Sequence, residues 1–194
     1  RVKFVYLKSD KSILSPEQNT LLEKEFNEFV RNGALLSTKE KEKLRQVDEV
    51  LAIKSLSFGE KILADTNIYL LHIKDEKKLK GLPDFSINEA KLKAKSNNLK
   101  GWVFTLDAPS YITFITYSEV RSLRKEISIA YGSRGYRKNE NNTILLIEEI
   151  IKLRHKRSVI LGYKSHADFV LEKRMSLTEK NTNYFISQLY LKSF

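Results

Sequence analysis

Ser15-Pro16-Glu17-Gln18, followed by Leu22, Phe26, Phe29 and Val30 and stopped at Gly33, is the stretch that decides the fold. Ser15 suits an N-cap, and Gln18 stands three residues on, where its side chain can reach back to the Ser15 N–H. Pro16 fits the first helical position, because the N–H it lacks would have had no intrahelical partner there. The apolar residues then recur on one helical face. A second start follows at once. Ser37-Thr38-Lys39-Glu40 is another capping box, and Leu44, Val47, Leu51, Phe58, Ile62 and Tyr69 recur at helical spacing. Unbroken to about Leu71, this helix would be roughly 50 Å long at about 1.5 Å per residue. Gly59 is its weak point, at about 1 kcal/mol relative to Ala. Two helices joined by so short a loop are expected to form an antiparallel hairpin.

The punctuation continues downstream. Gly81-Leu82-Pro83-Asp84 breaks the chain, and Asp84 or Ser86 is expected to cap a short polar helix that ends at Asn97-Asn98. Gly101-Trp102-Val103-Phe104-Thr105-Leu106 is the best strand candidate, being rich in aromatic and β-branched residues. Asp107-Ala108-Pro109-Ser110 turns the chain, and Tyr111 to Thr116 reads as a second strand or as the start of a short helix. Helix is expected again from Tyr117 or Ser118, with Val120, Leu123, Ile127 and Tyr131 on one face. Gly132 and Gly135 bracket a loop. Asn142 can cap the next helix, which carries Ile144, Ile147, Ile151 and Leu161 and ends at Gly162. Ser165 and Asp168 suit the N-cap and N3 of another. Ser176-Leu177-Thr178-Glu179 starts the last, with Phe185, Ile186, Leu189 and Tyr190. The expected fold class is mainly α: a multi-helix array with a long helical hairpin and at most a small β element near residues 101–116. The expected organisation is one helical region over 1–194. Within it lie a helical hairpin at 1–80, a short helix and strand or strands at 81–116, and helices at 117–194.

Composition excludes several classes. A chain of 194 residues with 41% hydrophobic and 30% charged content fits a folded globular region rather than a disordered one. No apolar run is long enough to span a bilayer. No signal peptide precedes the first amphipathic segment, although a start at Arg1 rather than Met leaves room for an upstream segment. Without cysteine there are no disulfides, thiolate metal sites or cysteine nucleophiles. The net charge of +11 raises the question of an anionic partner. The basic residues are nevertheless spread from Lys3 to Lys192. Their densest cluster, Arg154-His155-Lys156-Arg157, sits in a helical pattern just after Glu148-Glu149, as a solvated helix face would.

Candidate chemistry is sparse. The histidines are His72, His155 and His166, and none begins an H-E-x-x-H zinc helix, since Ile73, Lys156 and Ala167 follow them. Ser165-His166-Ala167-Asp168 holds the three residue types of a hydrolase triad. Neighbours at a helix start cannot adopt that geometry, which distant segments assemble. Glu148 and Glu149 point in different directions on a helix. Ser133-Arg134-Gly135-Tyr136-Arg137 resembles a phosphate loop only superficially, lacking the Walker spacing and an immediate helix start. Tyr136 with Arg134 and Arg137 would also suit base stacking.

Gly162-Tyr163 followed by His166-Ala167-Asp168-Phe169-Val170-Leu171-Glu172 closely resembles a stretch of the thimet-oligopeptidase and peptidyl-dipeptidase family of zinc metallopeptidases. Other segments resemble the same family in order: Arg1-Val2-Lys3 with Val5-Tyr6, Pro16-Glu17-Gln18, Phe29-Val30-Arg31-Asn32-Gly33-Ala34, Phe58-Gly59-Glu60, Gly81-Leu82-Pro83, Arg121 to Tyr131, and Arg134-Gly135. Gly101 to Leu106 with Pro109-Ser110-Tyr111 looks most like the peptidyl-dipeptidase branch. Ile112-Thr113 departs from the pattern where a proline is frequent.

The resemblance implies a largely helical, two-lobed enzyme with a deep channel that admits short unfolded peptides. This chain would be its N-terminal, non-catalytic helical region and part of the channel wall. Zinc, its ligands and the glutamate base would lie beyond residue 194. No catalytic or metal residue therefore carries over, substrate-binding residues stay unassigned, and the chain alone is expected to be inactive and to hold no cofactor. Its implied partners are the catalytic half of the same polypeptide and, in the whole enzyme, short peptides. The compartment implied is the cytoplasm, with the periplasm as the alternative. A free-standing basic helical module that binds nucleic acid is the rival, and a helical scaffold without ligand is a third reading. The rival predicts a last helix that finishes, whereas a segment stops in mid-architecture, as the chain is expected to do at Phe194. A diffuse positive surface without base readout binds weakly and with steep salt dependence. Titrating labelled duplexes should show little binding at physiological salt, and sequence-selective binding that survives there would favour the rival.

Overall fold

The computed structural model describes residues 1–193, so the expectation placed on Phe194 lies outside the described residues. The chain is mainly helical. Its elements are α1 (Val2–Lys8), α2 (Pro16–Arg31), α3 (Thr38–Ile68), β1 (Leu71–Ile73), α4 (Asp84–Ser96), β2 (Trp102–Phe104), α5 (Ala108–Tyr117), α6 (Arg121–Gly132), α7 (Ile144–Ile160), α8 (His166–Leu171) and α9 (Glu179–Lys192). Among the described residues no helix is long and apolar enough to cross a membrane.

The helix starts follow the caps. Ser15 Oγ accepts from the Gln18 N–H while Gln18 Oε1 accepts from the Ser15 N–H at 2.9 Å, with Pro16 at the first helical position. Ser37 and Glu40 repeat the device before α3. Asn142 Oδ1 accepts from the Ile144 N–H to open α7, Ser165 caps α8 through the Asp168 N–H, and Thr178 caps α9 through the Asn181 N–H. α4 departs from expectation. Its N-cap is Pro83, no side chain caps it, and Asp84 is its first residue, placed where a carboxylate complements the helix dipole. α6 begins at Arg121 rather than Tyr117 or Ser118, because Ser118 Oγ instead accepts from the Val120 N–H in the turn.

The chain groups into two compact units, Arg1–Ile53 together with the chain from Glu149 onward, and Lys54–Glu148. These boundaries fall inside α3 and α7. Sequence punctuation marks where elements end, whereas long-range packing decides which elements share a core.

The first unit has a thin interior. Leu44, Val47 and Ile150 are its fully buried apolar residues among those described. α2 lies chiefly along α1, with Tyr6 stacked on Phe26 at 3.9 Å between ring centres and Lys11 Nζ 4.2 Å from the Tyr6 ring centre. At the turn from α2 to α3, Gly33 takes a left-handed backbone and donates to Val30 O.

The second unit is densely packed. Phe104, Leu106, Phe114 and Ile127 are at most 1% exposed, and Leu71, Ile73, Leu79, Leu82, Ala90 and Ala130 close around them. Phe104 and Phe114 meet edge to face at 4.7 Å. β2 pairs antiparallel with β1, Leu71 facing Phe104 and Ile73 facing Trp102. That partner was not read from the sequence: α3 ends at Ile68, and Leu71 opens the strand. Three residues carry too little periodicity to be told from a helix end. Gly101 makes the pairing possible. At φ +101° a side chain is strained, and a Cβ there would stand 2.4 Å from Ile73 O. α4 is the main cover of β2, and Ser86, Ala90 and Ala94, four apart, are the small buried residues of this helix. The open choice for Tyr111 to Thr116 resolves as helix, since Pro109 pre-sets the first turn of α5 and the apolar residues serve helical spacing.

Phe114→Ala should cost about 3–5 kcal/mol, the range for emptying a buried aromatic site. Ile112→Ala on the exposed side of the same helix should stay within about 0.5 kcal/mol. Urea denaturation of the two variants checks the contrast.

Candidate functional site

The segment Gly162 to Glu172 builds a cluster inside the first unit. Gly162 ends α7 in a left-handed conformation, and Tyr163 N–H returns to Ser158 O. Ser165 then starts α8 and fixes Asp168 through both its N–H and its carboxylate, at 2.8 Å from Ser165 Oγ to the latter. Phe169 of α8 has two guanidiniums over its ring, Arg31 from α2 at 4.1 Å and Arg157 from α7 at 5.1 Å. Arg31 also donates to Glu172 and to Phe169 O, and Tyr163 OH donates to Glu172 at 2.8 Å. These two donors hold the Glu172 carboxyl below its ordinary range, Arg31 first. Arg157 Nε donates to Asp48 of α3 at 2.8 Å. Four helices are thus tied through one aromatic ring and two arginines. Arg31 and Arg157 were not singled out from the sequence as a pair, since nothing in spacing links residues so far apart.

His166 sits at the first position of α8. Its ring centre is 6.2 Å from that of Phe169, and Nδ1 has no hydrogen-bond partner. Burial, then Arg154 and Arg157, lowers its pKa. Ser165 and Asp168 bond to each other rather than to His166, so the three residue types form a helix cap and not a proton relay. Of the basic cluster, Arg154, His155 and Lys156 are exposed, and Arg157 alone turns inward. Glu148 and Glu149 are exposed neighbours on α7.

The loop from Ser133 to Thr143 forms the second cluster, within the other unit. Asp65 of α3 is fully buried and accepts from the Gly135 N–H and from Asn139 Nδ2, both at 2.9 Å, with Arg137 at 3.6 Å. Burial opposes its ionisation, but the hydrogen bonds from Asn139 and Gly135 and the charges of Arg137 and Arg134 outweigh it and keep the carboxyl below its ordinary range. Thr143 N–H donates to Gly135 O at 2.7 Å, and Asn142 Nδ2 donates to Tyr136 O and Arg137 O. A Cβ on Gly135 would stand 2.4 Å from Ile62. Arg134 lies 3.6 Å over Tyr131, which stacks on Tyr111, and donates to Tyr131 O. Arg137 donates to Ala130 O. Arg134 and Arg137, whose sequence context suggests phosphate or base contact, are therefore bound to the protein's own carbonyls, carboxylate and rings. Tyr136 is exposed. Asp65 was missed by sequence reasoning, yet a signal existed: it falls on the same helical face as Phe58, Ile62 and Tyr69, where a carboxylate is out of place unless paired.

His72 lies in β1 with Nε2 2.7 Å from Lys100 O, and His155 on α7. Zinc takes three or four His, Cys or carboxylate ligands at one point. Among the described residues no group of three or more such side chains converges to hold a metal. The donor set described does not fit zinc.

Asp65→Ala should cost about 3–5 kcal/mol, because it leaves Arg137 and the Gly135 N–H without their buried partner. Asp65 also sets a sign for acid sensitivity. Its folded pKa is below the unfolded value, so its contribution is present above about pH 4 and is lost as pH falls through the folded pKa. Urea midpoints measured from pH 7 to pH 3 should fall less steeply in Asp65→Ala than in wild type.

Comparison with known proteins places the chain among peptidases. The model for "Peptidase family M3" matches residues 114–194. Organellar oligopeptidase A, chloroplastic/mitochondrial, of Arabidopsis thaliana is 31% identical over 88% of this chain and 22% of its own length. Probable cytosolic oligopeptidase A of the same plant is 31% identical over 88% of this chain and 25% of its own. Dipeptidyl carboxypeptidase of Escherichia coli is 23% identical over 97% of this chain and 28% of its own. The chain spans about a quarter of the length of these relatives. Identity is thus higher to proteins named oligopeptidase A than to the dipeptidyl carboxypeptidase. A family match over residues 114–194 and relatives aligned over nearly nine-tenths of the chain lead to one assignment: the chain belongs to peptidase family M3.

Proposed function

We propose that this chain is the helical, non-catalytic part of a zinc-dependent oligopeptidase that hydrolyses short peptides, and that it forms part of the wall of the substrate channel. One observation carries the reading: relatives named as oligopeptidases align over 88% of the chain, while it accounts for only 22–25% of their length. The zinc-holding residues would then belong to the rest of the polypeptide, consistent with the lack of a metal-ligand cluster among the described residues. A wall needs rigid helices and no reactive group. The Phe169 cluster and the Asp65 clamp tie the helices within each unit, and Ser165, Asp168, Arg134 and Arg137 are occupied in holding the fold. The rest of the same polypeptide is the proposed partner, short peptides the proposed substrates, and the cytoplasm the proposed compartment. The greater identity to oligopeptidase A favours an oligopeptidase over a strict dipeptidyl carboxypeptidase. The nucleic-acid reading loses support, because Arg134 and Arg137 are committed internally.

The test is a peptidase assay on the full-length protein encoded by the gene. It should cleave short peptides, lose activity with a chelator and regain it with zinc. Residues 1–194 alone should show neither cleavage nor stoichiometric zinc. An inactive, metal-free full-length protein would count against the proposal, as would zinc retained by the segment alone.

A further inference from the structure

We propose that α9 is an intramolecular docking helix, its apolar surface covered by polypeptide of the same protein that lies outside residues 1–194. This rests on the chain being one segment of a longer protein, but not on the zinc chemistry. Phe185, Ile186 and Leu189 share one side of α9 and are 52–62% exposed. Tyr184 and Leu191, on the other side, are 68% and 69% exposed. A helix apolar on more than one side belongs in an interior. At 14 residues, α9 is also in the length range where a helix is marginal in water without packing. The Thr178 side chain caps its first turn, and α8 is its neighbour.

The occupant follows from two facts. Relatives that align along the chain are about four times its length, so three quarters of such a protein is available to cover the helix. A second copy is the poorer fit. Each copy carries +11, and pairing two would bring like charges together.

The chain has no cysteine, so single thiols report position without background from this segment. Phe185→Cys, Leu189→Cys and Leu191→Cys in the full-length protein would be reacted with an alkylating agent, native and in urea, and read peptide by peptide by mass spectrometry. Docking predicts at least about tenfold slower native labelling at positions 185 and 189, because reaction then requires local opening. The protection should not change on dilution. Native labelling as fast as in urea would overturn the proposal, and so would protection that disappears on dilution, which would identify a second copy as the occupant. A reading frame that stops after residue 194 would remove both this inference and the larger-peptidase reading. A longer, active peptidase with freely labelled thiols would remove only the inference.

Discussion

A carboxylate with no access to water organises the better-packed half of this molecule. Asp65 would be costly to bury alone, since an unpaired charge in the interior loses its hydration without replacement. Here it receives a backbone N–H, a side-chain amide and a guanidinium, all from one eleven-residue loop. The loop in turn has few apolar residues of its own to hold it. Each depends on the other: the charge is tolerable only if the loop closes, and the loop has a fixed shape only if the charge is there. Gly135 is the hinge of that dependence, because its left-handed backbone brings the N–H to the carboxylate where no Cβ would fit beside Ile62.

The first unit solves a similar problem with less hydrocarbon. Few of its residues are fully buried, and its helices meet through Phe169 and the two arginines that approach its ring, Arg31 and Arg157. Guanidiniums pack flat on rings and still satisfy their donors at the edge, so one side chain serves as both apolar filler and hydrogen-bond hub. That is why the segment from Gly162 to Glu172 can look like a site in sequence and act as a joint. The Ser, His and Asp in it are spent on a helix cap and on packing.

Much of the fold was legible because caps are local. Ser15 with Gln18, Ser37 with Glu40, Asn142, Ser165 and Thr178 each announce a helix within four residues, and Gly33 and Gly162 close two of them. What was not legible depends on contacts far apart in the chain. β1 is three residues long and exists only because Gly101 lets β2 approach it. The two units draw their members from positions that no local pattern connects. The Asp65 clamp spans some seventy residues, and the Arg31 to Glu172 tie spans twice that. The family was legible from ordered motifs, and comparison bore it out. Metal-ligand sets are defined in space, and in sequence the three histidines can be judged only by their spacing.

The discontinuous unit has a consequence for how the protein is made. Its first part is complete at Ile53, yet its second part begins at Glu149. At roughly 5–20 residues per second, a ribosome needs on the order of ten seconds to cross that gap. During that interval α1, α2 and the start of α3 exist without α7 and α8. The apolar side chains of α2, and Arg31 without Phe169, are then open to water and to other nascent chains. The intervening unit, whose residues are contiguous, can close its core first. The order of synthesis therefore sets the order of folding, and the amino-terminal helices are the part that most needs shielding while they wait.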